Sequence, residues 1–270
     1  MRELDREQQH STTPAPAPES LFQEEHSLLP SPIGIIGDGR AGNVFSTAFR
    51  STGLEVSGPL ARGEQFASDP GLVLICTPDA AIPEAALTVP IHIPLGHCCG
   101  AHGTEIFGNR ENTFCLHPLM TLTNSSSESD LNGAWAAIDG SSEEMLQLAA
   151  SLAKACKMTP TQIDSDHRPT YHAAASIASN FLITVEAVAE HVAKQAGLPR
   201  EALIPLAQAT LANWSTLGSA GALTGPVARG DEATVERQRE AIAEAAPDLL
   251  DLFDLLCEAT RGVAAGKVTA

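Results

Sequence analysis

The sequence has no excess of basic residues. It contains 16 lysines and arginines against 33 aspartates and glutamates, which gives a formal net charge of −17 at pH 7. A surface of that sign repels nucleic acid and anionic lipid, so we expect neither a nucleic-acid nor a membrane partner. A small anion is not excluded, because backbone N–H groups and one or two arginines can bind it at short range.

Long apolar runs are also lacking. No stretch approaches the roughly 18 consecutive apolar residues that a membrane helix needs, and no apolar segment follows the charged first residues as a secretory signal requires. The cysteines do not follow the spacing of a small disulfide framework: Cys76, Cys98, Cys99, Cys115, Cys156 and Cys257. We therefore expect reduced thiols and a soluble cytoplasmic protein.

The length of 270 residues and a hydrophobic fraction of 43% fit a globular protein of two domains. Residues 1–30 are polar and alternate alanine with proline, which predicts a disordered tail. Residues 31–165 alternate strand and helix patterns, which predicts an α/β domain with a parallel sheet. Residues 166–270 read as helices throughout, which predicts an all-α C-terminal domain with its boundary near residues 164–168.

The apolar pattern predicts the following elements. Strands are expected at Ile33–Ile36, Leu54–Leu60, Leu72–Cys76, Ile91–Cys98, Thr113–Leu116 and Ala134–Ile138. Helices are expected at Asn43–Ser51, Ser142–Lys157, Pro169–Ala196, Arg200–Leu217, Asp231–Ala245 and Asp248–Ala264.

A glycine-rich turn lies directly after the first predicted strand and before the first helix. It fits the pattern G-x-G-x-x-G with the residues Gly37, Asp38, Gly39, Arg40, Ala41 and Gly42. Its first glycine permits a tight turn, its second lets a pyrophosphate approach the backbone, and its third lets helix and strand pack closely. The turn therefore predicts a dinucleotide cofactor, although a glycine loop without a ligand would have the same sequence.

The end of the second strand indicates which cofactor is bound. An NAD site usually has an acidic residue there for the ribose 2′-hydroxyl, whereas here the first charged residue is Arg62. A guanidinium suits a 2′-phosphate, so NADP(H) is the predicted cofactor. Arg40 is a second candidate for the same contact, and an ordinary solvated role is open for both arginines.

Polar side chains follow three further strands, at the sheet edge where ligands of open α/β sheets collect. Thr77, Pro78 and Asp79 follow the third strand, Cys99 follows the fourth, and His117 closes the fifth. We expect the first four to lie against the cofactor. The nearby histidines and cysteines also allow a zinc site, which we disfavour because no metal-binding spacing repeats.

A polar stripe runs along the predicted helix Pro169–Ala196. His172, Ser176, Ser179 and Asn180 fall at positions i, i+4, i+7 and i+8 of an otherwise apolar helix. The stripe either packs on another helix or lines a wet pocket that faces the cofactor, and the pocket is the favoured interpretation. Arg229, in the turn-rich run 224–231, could hold a substrate carboxylate or phosphate, while Asp231 reads as a helix N-cap.

In combination, these motifs resemble the Rossmann-like proteins that carry the domain of unknown function 2520, over residues 32–262. The resemblance rests on the glycine turn, Thr77-Pro78-Asp79, His117-Pro118-Leu119, Tyr171–Ala174 with Ser179-Asn180, and the run 224–231. That family is similar in build to ketopantoate reductase, pyrroline-5-carboxylate reductase, β-hydroxyacid dehydrogenases and proteins like the 6-phosphogluconate dehydrogenase C-terminal domain. The resemblance implies a helical domain that usually dimerises, so we expect a homodimer.

One departure from the better-known relatives matters for chemistry. In ketopantoate reductase and β-hydroxyacid dehydrogenases this helix carries a catalytic lysine three or four residues before an asparagine. Asn180 matches the asparagine, but Ser176 stands at the lysine position. His172 is the predicted proton donor in its place, because histidine titrates near neutral pH, and His117 is the second choice.

The sequence therefore predicts an NADPH-dependent oxidoreductase acting on a CH-OH or CH-NH group of a small anionic substrate, with a 2-oxo acid such as ketopantoate as the best guess. In this hypothesis His172 protonates the substrate and Arg229 holds its anionic group. Ser176 and Asn180 orient the reacting group. The alternative is a non-catalytic NADP-binding sensor or partner protein that has lost its chemistry with the lysine.

Overall fold

A computed structural model describes residues 29–267 of the chain. All but the last two residues of the predicted tail, residues 1–30, lie outside the described residues. Contacts divide the described chain between Ala175 and Ser176 into two units. We call residues 29–175 the N-terminal unit and residues 176–267 the C-terminal unit; the boundary predicted near residues 164–168 precedes this division.

The N-terminal unit alternates strands with helices. Its strands are β1 (Ile33–Ile36), β2 (Val56–Leu60), β3 (Leu72–Ile75), β4 (Leu95–His97), β5 (Thr113–Pro118), β6 (Trp135–Gly140) and β7 (Thr159–Gln162). Its helices are α1 (Arg40–Ser51), α2 (Ile82–Ala86), α3 (Glu143–Ala155) and α4 (Arg168–Ser176), the last of which ends at the division between the units.

The seven strands form one sheet in the order β2-β1-β3-β4-β5-β6-β7. Strands β1 to β5 are parallel, as predicted, and β7 is parallel to β6. Strand β6 departs from the predicted parallel sheet, because it runs antiparallel to β5. The connection between them contains the short 3-10 turn Glu128–Leu131 and no α-helix, whereas the crossover between parallel strands is usually an α-helix.

Both faces of the sheet are covered. Along β3, Leu72 and Leu74 belong to the core on the face of α1 and α3, whereas Val73 and Ile75 belong to the core on the face of α2. All four side chains are fully buried. This explains why β3 reads as a continuous apolar run and not as an alternating one.

The C-terminal unit contains only helices in its described part. A π-helical turn (Ile177–Phe181) leads into α5 (Leu182–Gln195), which is followed by α6 (Ile204–Ala222), α7 (Glu232–Ala245) and α8 (Leu250–Ala264). The predicted fold class, an α/β domain followed by an all-α domain, is confirmed. By length and composition alone, the helical stretch Ser165–Gln195 could cross a membrane, a criterion that helices of soluble proteins also meet.

Candidate functional site

The glycine turn lies at the point where the order of the sheet reverses. The chain leaves β1, forms α1, pairs β2 on one side of β1, and then returns to place β3 on the other side. At such a switch point the loops that follow the two neighbouring strands diverge and leave a crevice at the carboxyl edge of the sheet. The turn of residues 37–42 therefore occupies the position at which open α/β sheets bind their ligands.

The three glycines of the turn differ in what a Cβ atom would meet. At Gly37, with φ of +108°, a Cβ would come within 2.7 Å of the carbonyl oxygen of Cys76, and at Gly42 it would overlap the carbonyl oxygen of Gly37. At Gly39 it would meet nothing within 4 Å. Two of the glycines are thus required by the packing of the protein, while the third leaves its space open, as the dinucleotide pattern predicts.

Helix α1 begins without a side-chain cap. Gly39 is its N-cap residue, and no acidic residue occupies its first turn. The amide of Asn43 donates to the carbonyl oxygens of Asp38 (2.6 Å) and Gly39 (3.0 Å), which fixes the shape of the turn. The first N–H groups of the helix, with the positive end of its dipole, are consequently available to an anion such as a phosphate.

Arg40, the first residue of α1, donates from Nη1 to the carbonyl oxygen of Leu122 at 3.2 Å. This contact ties the loop after β5 to the start of the helix. The guanidinium has further N–H donors, so the contact with Leu122 is compatible with the predicted role of Arg40 at a phosphate.

A cleft of about 820 Å³ opens beside the glycine turn. Its lining includes six of the predicted cofactor residues: Gly37, Asp38, Gly39, Arg62, Thr77 and Pro78. The remaining lining comes mainly from the segment 60–70 after β2 and from α2 and the residues that follow it. The volume lies within the range of small-molecule and cofactor sites.

Arg62 lies at the exposed mouth of this cleft. Its Nη2 atom is 3.5 Å from Oε2 of Glu84, and both side chains are largely in solvent. Glu64, two residues further on, accepts a hydrogen bond from the backbone N–H of Ala61 at 2.8 Å. Arg62 therefore lines the cleft beside the glycine turn. The carboxylates near it, Glu84 and Glu64, were not predicted from the sequence.

The ends of β3, β4 and β5 meet at the same edge of the sheet, as expected. Burial, followed by the Asp79 carboxylate, raises the pKa of the Cys99 thiol to about 12. Asp79 also acts electrostatically on His117, at the end of β5. Neither Asp79 nor Cys99 is among the residues that line the 820 Å³ cleft.

His97 has a structural role in this edge. Its Nδ1 atom accepts from the N–H of Cys99 at 3.1 Å, so its Nε2–H donates to the carbonyl oxygen of Gly103 at 2.9 Å. Burial lowers its pKa to about 4. Both ring nitrogens are occupied by the backbone, and among the described residues no group of three or more histidines, cysteines or acidic residues is arranged to hold a metal ion.

Three ring side chains and one glycine form a compact group, which we call the histidine–tyrosine cluster: His117, Tyr171, His172 and Gly100. Nδ1 of His117 is hydrogen-bonded to the hydroxyl of Tyr171 at 2.7 Å, and the two rings meet edge to face. The ring of His172 lies 6.4 Å from that of His117, between centroids. A Cβ on Gly100 would come within 2.9 Å of both imidazoles, so only glycine lets the rings lie over the backbone here.

Arg168 lies fully buried at the start of α4. Its Nε–H donates to the carbonyl oxygen of Ile163 at 3.1 Å. Within residues 29–267, neither terminal nitrogen of its guanidinium has a hydrogen-bond partner. Burial, followed by the positive charge of Arg168, lowers the pKa of His117 to about 4. His117 is therefore neutral at physiological pH.

Among the remaining predicted site residues, His172 lies at the end of the N-terminal unit, whereas Ser176, Asn180 and Arg229 belong to the C-terminal unit. The expected stripe of His172, Ser176, Ser179 and Asn180 assumes a regular α-helix, and this assumption is wrong because the π-helical turn Ile177–Phe181 changes the angular spacing between residues. Arg229 lies exposed in the loop before α7. The predicted N-cap is confirmed: Asp231 accepts from the N–H of Thr234 at 3.1 Å.

Three members of the site were not predicted from the sequence: Tyr171, Gly100 and Arg168. One signal was available for the first, since Tyr171 is the only tyrosine in the chain and directly precedes His172. Gly100 and Arg168 gave no comparable signal, because their importance depends on which strand ends and helix start the fold brings together.

Comparison with known proteins places these features in a family context. A profile of the domain of unknown function DUF2520 matches residues 134–260. A search among curated proteins finds no significant match.

Among solved structures, the chain is similar to a protein from Bacteroides fragilis described as a candidate NADP oxidoreductase, with 20% identity, a TM-score of 0.73, and coverage of 86% of this chain and 98% of the other. A protein from Thermotoga maritima shares 23% identity at a TM-score of 0.72, and the match covers 88% of this chain and 100% of the other. Pyrroline carboxylate reductase from Plasmodium falciparum, solved with NADP bound, shares 10% identity at a TM-score of 0.53, and the match covers 86% of this chain and 98% of the other. The chain therefore has the Rossmann-like fold of these proteins, with a DUF2520 match over residues 134–260.

Proposed function

We propose that this protein is an NADP(H)-dependent reductase of a small carboxylated carbonyl or imine substrate. The observation that carries the proposal is the combination, at one switch point, of an uncapped helix α1, an open Gly39 and a cleft of about 820 Å³. The similar proteins described as an NADP oxidoreductase and as an NADP-bound reductase support the same cofactor class. A 2-oxo acid such as ketopantoate is the first substrate to test, and a cyclic imine carboxylate is the second.

The residues of the glycine turn fit a dinucleotide. The N–H groups at the start of α1 would hold the pyrophosphate, with Gly39 leaving room for it, and Arg62 would contact the 2′-phosphate. Thr77 and Pro78 would line the same cleft. When bound, the reduced cofactor supplies a hydride for the substrate carbon.

The proton required by the reduction would come from the histidine–tyrosine cluster at the same sheet edge. His172, the donor proposed from the sequence, is a member of this cluster, and so is the second choice, His117. The roles of Ser176 and Asn180 in orienting the substrate, and of Arg229 in binding its carboxylate, remain predictions. The homodimer and the cytoplasmic location are likewise proposals.

Two alanine substitutions in the glycine turn test the cofactor site. Gly39→Ala puts a methyl group into space that no protein atom occupies, so it should lower NADPH affinity at least tenfold while leaving the melting temperature nearly unchanged. Gly42→Ala is the matched control, because its methyl group overlaps a backbone carbonyl and should lower the melting temperature in the absence of any cofactor. Equal NADPH affinity for the unaltered protein and Gly39→Ala would contradict the site.

A substrate screen tests the reaction. Purified protein with NADPH should oxidise the cofactor when a reducible 2-oxo acid or cyclic imine carboxylate is present, measured by the loss of NADPH absorbance. NADPH binding without turnover of any such compound would overturn the reductase proposal in favour of the non-catalytic sensor.

A further inference from the structure

Tyr171 and His117 form the shortest side-chain contact in the histidine–tyrosine cluster. The 2.7 Å distance between the hydroxyl oxygen and Nδ1 is that of a strong neutral hydrogen bond. Both rings are partly buried and come from different elements, β5 and α4. Gly100, in the loop after β4, closes the arrangement, because any larger residue would displace the imidazoles.

The charged and titratable groups around the pair favour one protonation pattern. Arg168 and His172 on α4 and His97 on β4 oppose a proton on His117, and Asp79 after β3 favours one, but burial is the largest effect and keeps the imidazole neutral. Burial also raises the pKa of Tyr171 to about 12, with a smaller contribution from Cys115 and an opposing one from Arg168. Over the physiological range the phenol therefore retains its proton.

We propose that Tyr171 is the catalytic proton donor of the proposed reduction and that His117 is its positioning residue. The inference rests on the reductase function proposed above and replaces His172 as the donor. It assigns the proton to the one group of the cluster that is both hydrogen-bonded in place and protonated at neutral pH.

The proton balance is simple. As hydride adds to the carbonyl carbon, the carbonyl oxygen becomes an alkoxide; the O–H bond of Tyr171 breaks and the O–H bond of the product alcohol forms. The Nδ1–H of His117 donates a hydrogen bond to the tyrosinate that remains, which stabilises its negative charge. The positive charge of buried Arg168 also favours the tyrosinate, since it lowers the pKa of Tyr171. Water returns the proton to Tyr171 after the product has left.

Conservative substitutions separate Tyr171 from His172. Tyr171→Phe keeps the ring and removes the hydroxyl, so kcat should fall by about 10²- to 10⁴-fold while KM and the NADPH dissociation constant stay close to those of the unaltered protein. His172→Gln should have a much smaller effect on kcat. Full turnover by Tyr171→Phe, or a loss confined to His172→Gln, would overturn the assignment in favour of His172.

The single tyrosine permits a test that does not depend on activity. Growth on fluorotyrosine labels only Tyr171, and ¹⁹F NMR then follows the ionisation of that phenol directly. Because fluorination acidifies a phenol, the alkaline limit of the kcat profile should move to lower pH along with the ¹⁹F midpoint. An alkaline limit that stays in place while the ¹⁹F midpoint moves would exclude Tyr171 as the donor.

His117→Phe in the labelled protein tests the positioning role. It keeps an aromatic ring against Gly100 and removes the nitrogen, so the ¹⁹F midpoint should rise by a measurable fraction of a pH unit or more. An unchanged midpoint would overturn the role of His117. Failure of the unaltered protein to reduce any substrate would instead overturn the reductase proposal, and this result is distinguishable because the ¹⁹F midpoints are measured without substrate.

Discussion

The two units of the chain differ in how they bury their apolar residues. In the N-terminal unit, strand β3 is fully buried on both faces, whereas helix α6 of the C-terminal unit has no buried residue along its 19 positions. Large apolar side chains are exposed along the C-terminal unit, among them Leu206, Trp214 and Leu217. The N-terminal unit has an apolar core, while α6 exposes an apolar surface of the kind that often marks an interaction site.

The exposed apolar surface of α6 predicts its largest effect on the oligomeric state, which we propose to be a homodimer. Trp214→Glu places a charge on the apolar surface of α6 and should change the species in solution from a dimer to a single chain of 28.2 kDa. Leu87→Glu is the control, because Leu87 is 87% exposed in the N-terminal unit and Trp214 is 57% exposed. Light scattering at micromolar concentration measures the mass of each protein in solution. A monomeric unaltered protein would contradict the proposed homodimer.

The second largest difference between the two units should appear in the free energy of unfolding when large apolar side chains are replaced by alanine. Phe45 is fully buried on α1, so Phe45→Ala should lower the free energy of unfolding by about 3–5 kcal/mol. Leu211 on α6 is partly exposed, and Leu211→Ala should change the free energy of unfolding by only about 0.5 kcal/mol. Denaturant midpoints of both variants, measured in the Trp214→Glu background in which no partner should cover α6, provide the comparison; similar losses would mean that α6 has a core of its own.

The pH dependence of stability should also originate in the N-terminal unit. The pKa values of His97 and His117 are lowered to about 4, so the unfolded chain binds more protons than the folded one between pH 6.5 and 4. Stability is therefore complete above about pH 6.5 and decreases as the pH falls towards 4, by on the order of 3 kcal/mol for each histidine.

Thermal unfolding between pH 7 and 4 measures this effect. His117→Phe should make the pH profile shallower, because it removes one of the two histidines whose pKa is lowered. If the stability of His117→Phe fell as steeply with pH as that of the unaltered protein, His117 would not be a source of the pH dependence.

The smallest predicted effect concerns cofactor choice. Arg62→Ala should weaken NADPH binding about tenfold, which corresponds to about 1.4 kcal/mol, and should leave NADH binding unchanged. Glu84→Gln removes the carboxylate that lies 3.5 Å from the guanidinium and should strengthen NADPH binding. Dissociation constants for both cofactors test the pair of variants; equal affinity of the unaltered protein for NADPH and NADH would count against the 2′-phosphate contact.

Much of the fold could be predicted from local sequence. The apolar run of β3, the glycine turn before α1 and the cap at Asp231 each depend on neighbouring residues, and each is found where it was expected. The direction of β6 could not be predicted in this way, since it depends on the connection from β5 and not on the composition of the strand. The π-helical turn at Ile177–Phe181 was missed because an apolar helical pattern does not reveal one extra residue per turn.

The candidate site likewise contains some residues that a local sequence pattern predicts and others that only tertiary packing brings together. The glycines of the turn and Arg62 lie near one another in sequence, and the pattern that relates them is short. The pairing of His117 with Tyr171 joins residues 54 positions apart, and the proximity of Arg168 depends on where α4 begins. Those relations arise from tertiary packing, so the sequence indicated His117 and His172 but not the Tyr171 hydroxyl that is hydrogen-bonded to His117.

The uncapped start of α1 has a consequence for handling the protein. A side-chain cap typically contributes about 1 kcal/mol to a helix, and α1 begins without one, so the cofactor-free protein lacks that contribution. Polyvalent anions in the buffer can interact with the same N–H groups and compete with the dinucleotide. Storage in phosphate or pyrophosphate should therefore raise the melting temperature of the cofactor-free protein and, at the same time, weaken the apparent affinity measured for NADPH.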